Sequence, residues 1–122
     1  MVYAYIRVST DTQTVENQKI TILKWANEHN YKKLHWIAET KSGTLKPNKR
    51  KLGDLLNKVK KNDIIIITEL SRLGRSMIMI LDVLQALLDK EVKVIAIKEG
   101  YELGNNLVSK VLAFAFGLIS WT

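Results

Sequence analysis

Apolar residues fall in short runs along the chain, and their spacing switches between strand-like and helical periods. Val2 to Val8 is rich in β-branched and aromatic side chains and reads as a buried strand. Ser9-Thr10-Asp11 then offers helix-capping oxygens. From about Gln13 to His29, Val15, Ile22, Leu23 and Ala26 share a face at helical spacing. Leu34 to Ala38 predicts a second short strand, and Thr40 to Asn48, with Ser42-Gly43 and Pro47, a mobile loop. Lys49 to Lys61 predicts a basic helix with Leu52, Leu55, Leu56 and Val59 inward. Asp63 to Thr68 is a continuous apolar run of strand length, as in a central parallel strand. Met77 to Asp89 predicts an apolar helix, and Val92 to Ile97 a further strand. Strand and helix alternate throughout. The pattern predicts an α/β domain with a mostly parallel central sheet of four or five strands, flanked by helices on right-handed crossovers. Chemistry in such sheets sits outside the carboxyl ends of the strands, where Arg7-Val8-Ser9 and Glu69-Leu70-Ser71-Arg72 fall.

The last segment does not fit a single domain. From about Asn105 to Ser120 a helix would present Leu107, Val111, Phe114 and Leu118 on one side. Val108, Leu112, Ala115 and Ile119 would lie on a neighbouring one. Such a helix needs more cover than its own domain gives, which points to a partner subunit. The run is too short for a membrane span and carries Lys110.

Composition narrows the field. The 122 residues are 47% apolar and 25% charged, the balance of one globular domain. There is no cysteine, and His29 and His35 alone cannot build a zinc site. Met1 to Arg7 opens directly into a strand pattern without a leader, so a cytoplasmic protein is expected. The net charge of +7 is concentrated: Lys41 to Lys61 holds eight basic residues against Asp54 alone, and the remaining chain is neutral. That distribution suits a polyanion contact, although charge alone would equally suit a solvated lysine-rich face.

The arginines carry more information. If the first strand continues to Ser9, side-chain alternation puts Arg7 and Ser9 on one side at a strand end. Arg72 and Arg75 are three apart and share a face on a helical turn. Two adjacent guanidinium groups suit a bound anion, phosphate above all, whose oxygens they bind as forks. Arg7, Arg50, Arg72 and Arg75 are all the arginines of the chain, beside 15 lysines. A serine hydrolase would need a Gly-x-Ser-x-Gly elbow and a histidine near Ser9, and the elbow is missing. No glycine-rich phosphate loop follows the first strand, which argues against a nucleotide-binding domain.

YIRVST, with Gln13 and Gln18 after it, and the later LSRLGRS together resemble the serine recombinases, the resolvase/invertase family. The resemblance covers essentially the whole chain as that family's N-terminal catalytic domain. It implies a resolvase-like domain over residues 1–104. Residues 105–122 would begin a long dimerisation helix, truncated here, and no DNA-binding domain would be present. It also implies that Ser9 is the nucleophile toward a DNA phosphodiester, with Arg7, Arg72 and Arg75 as active-site arginines. Gln13 and Gln18 are supporting residues by the same resemblance. Arg50 resembles the mobile-loop arginine, and Lys58, across a one-residue gap, the lysine of the following helix. Ser71 stands where many members have aspartate. The implied partners are DNA and a second copy, with a tetramer in the synaptic complex of the full-length protein. No cofactor, metal or membrane is implied. The truncated chain alone is expected to be inactive on unmodified duplex, and the alternative is an inactive remnant of such a recombinase that only dimerises or binds DNA weakly.

Overall fold

The computed structural model describes residues 1–7, 12–39 and 51–104. Ser9, Arg50, the loop expected at 40–48, the helix expected from 105 and the side chain of Gln13 lie outside the described residues.

Among the described residues, five strands and three helices follow in the order β1 (Val2–Arg7), α1 (Thr12–Glu28), β2 (His35–Glu39), α2 (Lys51–Lys58), β3 (Ile64–Ile67), α3 (Met77–Asp89), β4 (Lys93–Ala96) and β5 (Tyr101–Leu103). A single 3-10 turn, Leu70–Arg72, joins β3 to α3. The sheet order is β2-β1-β3-β4-β5. The pairs β1–β2, β1–β3 and β3–β4 are parallel, and β5 returns antiparallel to β4.

Alternation along the strands divides the core into two layers. Tyr3 and Tyr5 of β1, Ile65 and Ile67 of β3, and Val94 and Ala96 of β4 face α2 and α3. There they pack with Leu52, Leu55, Val83, Leu84 and Leu87. Ala4 and Ile6, Ile66, and Ile95 face the other way, onto Ile22, with Val15 and Trp25 at the margin. β1 and β3 are therefore apolar on both faces, as central parallel strands are.

Three sequence expectations shift. Leu23 is half-exposed rather than inward. The buried stripe of α1 runs through Gln18, Ile22 and Ala26 at four-residue steps, and Leu23 is rotated about 100° from Ile22. The basic helix ends at Lys58, short of Lys61, because Asn62 takes a left-handed φ of 73° and Asp63 accepts the Lys60 N–H at 2.8 Å. The strand missing from the pattern is β5. Gly100, at φ 75°, closes a turn whose N–H donates to the carbonyls of Ala96 and Ile97, and the three residues after it are too few to show a period. Among the described residues no helix is long and apolar enough to cross a membrane.

Candidate active site

Arg7 closes β1 at its carboxyl end, and Arg72 lies on the 3-10 turn that follows the adjacent strand β3. Parallel pairing brings both strand ends to the same edge of the sheet. Each guanidinium holds the other's backbone. Arg7 donates from Nε to the Arg72 carbonyl at 3.0 Å and from Nη2 to the Ser71 carbonyl at 2.6 Å. Arg72 Nη1 donates back to the Arg7 carbonyl at 3.2 Å. Two cations are thus fixed side by side by dipoles that neither could reach without the other chain segment. Gln18 joins them: its position on the buried stripe of α1 leaves it 3% exposed, with Nε2 donating to the Arg7 carbonyl at 3.3 Å.

Carboxylates complete the surroundings. Glu69 bridges Arg72 Nη2 at 3.1 Å and Lys98 Nζ at 3.2 Å. Glu99 accepts the Leu70 N–H at 3.1 Å, tying the 3-10 turn to the β4–β5 connection. Glu39, paired across from Arg7 at the end of β2, is buried and accepts from three donors. These are the Tyr5 hydroxyl at 2.7 Å and the first backbone N–H groups of α2, Lys51 at 2.9 Å and Leu52 at 3.3 Å. Its charge lies against the positive end of the α2 dipole. The residue after Arg50 is thereby fastened to the sheet edge that carries Arg7.

Arg75 is exposed, three residues past Arg72 and just ahead of the Ser76 cap of α3. Ser71 is exposed and contributes its carbonyl to Arg7. Lys58 is not part of the group. Its ammonium lies 5.8 Å from the ring centroid of Tyr3, four residues back along β1 from Arg7. A shallow cavity of about 400 Å3 opens beside Arg72, lined by Asn17, Gln18, Thr21, Thr68, Glu69 and Lys98 as well. A larger depression of about 810 Å3, around Lys24, Asn30, Lys33 and Trp36, contains none of the described arginines. Among the described residues three buried side-chain polar atoms have no partner: Gln18 Oε1, Thr68 Oγ1 and Arg72 Nε. All three belong to residues around the cavity beside Arg72. Among the described residues no three metal-ligating side chains are grouped to hold an ion.

Arg7, Gln18 and Arg72 are the sequence-predicted residues whose side chains the structure brings together, with Ser71 joining them through its carbonyl. Glu39, Glu69, Lys98 and Glu99 were not among them. Glu39 was signalled only by its position at the carboxyl end of a parallel strand, and Lys98 and Glu99 only by theirs just beyond one.

A mostly parallel α/β domain with paired arginines at the carboxyl edge defines the class, and comparison with known proteins defines the family. The model of the resolvase N-terminal domain matches residues 2–120, so the chain belongs to the resolvase family. A resolvase from Clostridium perfringens is 30% identical over 99 residues, which are 81% of this chain and 50% of that protein. The chain therefore spans about half the length of this relative. Among solved structures, the N-terminal catalytic domain of TP901-1 integrase superposes with a TM-score of 0.72 at 18% identity, covering 95% of this chain and 90% of the other. A resolvase family site-specific recombinase from Streptococcus pneumoniae gives 0.64 at 23% identity over 96% and 85%. The C-terminal catalytic domain of ISC1926 TnpA, an IS607-like serine recombinase, gives 0.63 at 22% over 79% and 67%. These likenesses establish a shared fold.

Proposed function

We propose that this chain is the catalytic domain of a serine-type site-specific DNA recombinase, with Ser9 as nucleophile. Ser9 Oγ attacks a DNA phosphorus, forming the Oγ–P bond as the bond from phosphorus to the 3′ oxygen breaks. The products are a 5′-phosphoserine link and a free 3′ hydroxyl, and the reverse reaction on an exchanged strand religates the DNA. Because the phosphoserine keeps the bond energy, religation needs no ATP. Arg7, Arg72 and Arg75 bind the non-bridging oxygens and offset the charge that grows on them. Gln18 holds the backbone of Arg7, Gln13 and Ser71 support the same edge, and Arg50 and Lys58 contact flanking phosphates. Residues 105–122 begin a dimerisation helix, and the tetrameric synapse belongs to the full-length protein.

The observation that carries this reading is the Arg7–Arg72 pair, locked at the edge where β1 ends two residues before Ser9. The test is covalent trapping on a suicide duplex carrying a nick beside the candidate cleavage point. A Ser9-dependent protein–DNA adduct, lost in Ser9→Ala and Arg72→Gln, is the expected result. Retained DNA binding with no adduct in any oligomeric state favours the inactive remnant instead.

A further inference from the structure

Arg72 has one edge suited to an incoming phosphate, and that edge is half taken. A guanidinium binds an oxyanion best as a fork of two parallel N–H groups. On Arg72, Nη1 is committed to the Arg7 carbonyl, which leaves the edge formed by Nη2 and Nε. Glu69 Oε1 meets Nη2 at 3.1 Å, while Nε is buried without a partner. A carboxylate could in principle cover both groups. Here it does not, because its second oxygen is drawn to Lys98 Nζ at 3.2 Å. Lys98 is 77% exposed and rides on the β4–β5 connection, whose backbone is tied to the residue after β3 by the Lys98 N–H to Thr68 carbonyl bond at 2.8 Å.

We propose that Glu69 is a displaceable stand-in for phosphate on the Arg72 fork, and that Lys98 sets how readily it leaves. This rests on the reading of Arg72 as a phosphate ligand. In the free protein Glu69 prevents two neighbouring arginines from facing each other uncompensated. When a phosphodiester arrives, it takes Nη2 from Glu69 and satisfies the orphaned Nε. Lys98 keeps Glu69 neutralised after its displacement, so the carboxylate does not repel the phosphate. Without Lys98, both Glu69 oxygens are free to close on the fork.

The chain's four arginines allow a direct test, because only four side-chain Nε–H resonances need assignment by Arg→Lys substitution. Dimethyl phosphate is titrated against the wild-type chain, Glu69→Gln, Lys98→Gln and the double variant, following the Arg72 Nε–H signal. Glu69→Gln is nearly isosteric, and its thermal unfolding checks that the fold persists. Glu69→Gln should tighten binding about three- to fivefold, and Lys98→Gln should weaken it by a similar factor, the weight of one partly exposed ion pair. In the Glu69→Gln background, Lys98→Gln should have little effect. Equal weakening in both backgrounds makes Lys98 a phosphate ligand itself and overturns the proposal, as does an unchanged affinity in Glu69→Gln. An Arg72 signal that ignores dimethyl phosphate in every variant overturns the underlying reading of Arg72 instead.

Discussion

Glu39 does more for the site than its silence in the sequence suggests. One buried carboxylate ends β2, receives the Tyr5 hydroxyl and caps α2 through two backbone N–H groups. Glu39→Ala leaves the hydroxyl and both N–H groups without their acceptor, so a loss of about 3 kcal/mol is expected in urea unfolding. Tyr5→Phe should cost about 1 kcal/mol, since Glu39 keeps its two N–H donors. Tyr3 gives a second prediction. Burial, aided by the Asp63 carboxylate, raises its phenol above the ordinary value of 10.0. A raised acid favours the neutral form in the fold, so this stabilisation is fully present below pH 10.0 and is lost as pH rises through the folded value. Thermal stability should fall above that pH, and the fall should be shallower in Tyr3→Phe.

The α/β alternation, most inward helix positions and the placement of Arg7 and Arg72 at or just beyond strand ends were legible in the chain, because burial writes its period into the sequence. What escaped was written in single residues. β5 is three residues long and follows a glycine turn, which is too short for a period to register. Gln18 was singled out by motif, yet its burial follows from its place on the α1 stripe. The Glu69–Arg72 pair is local, three residues apart, but the pairing of Glu69 with Lys98 joins residues on the connections after two neighbouring strands and depends on sheet order, which no local spacing encodes. Gly74 shows how tightly the elements carry the site. A Cβ there would lie 2.7 Å from Met79 Cβ, between the Arg72 turn and the first turn of α3. Gly74→Ala should destabilise the fold by about 1–3 kcal/mol and move the Arg72 and Arg75 amide resonances together. A neutral substitution with unmoved resonances would mean that the turn and α3 adjust independently.

Charge is the property that belongs to the whole molecule. The excess lies between Lys41 and Lys61, and the described part of that stretch leads from the Arg7 edge to the far end of α2. Not every lysine there is free to meet a polyanion. Lys51 Nζ donates to the Ala38 carbonyl at 3.0 Å, and Lys61 pairs with Glu91 at 3.3 Å. Reversing Lys51 would set a carboxylate beside Glu39 and disturb the α2 cap, so its effect on DNA binding would be confounded with folding. Lys60, whose side chain is exposed, is the better probe, and Lys49 of the same basic run is neutralised with it. If the basic stretch meets DNA, affinity for a random duplex should fall roughly tenfold or more between low and physiological salt, as released counterions predict. Neutralising Lys49 and Lys60 to glutamine should then lower the slope of log K against log salt by about one unit for each phosphate no longer neutralised. If Arg72 binds the reacting phosphate as proposed, Arg72→Gln should change cleavage far more than this slope. Fluorescence anisotropy across a salt series separates the two effects. A slope unmoved by the lysine pair would place the electrostatic contact elsewhere on the chain.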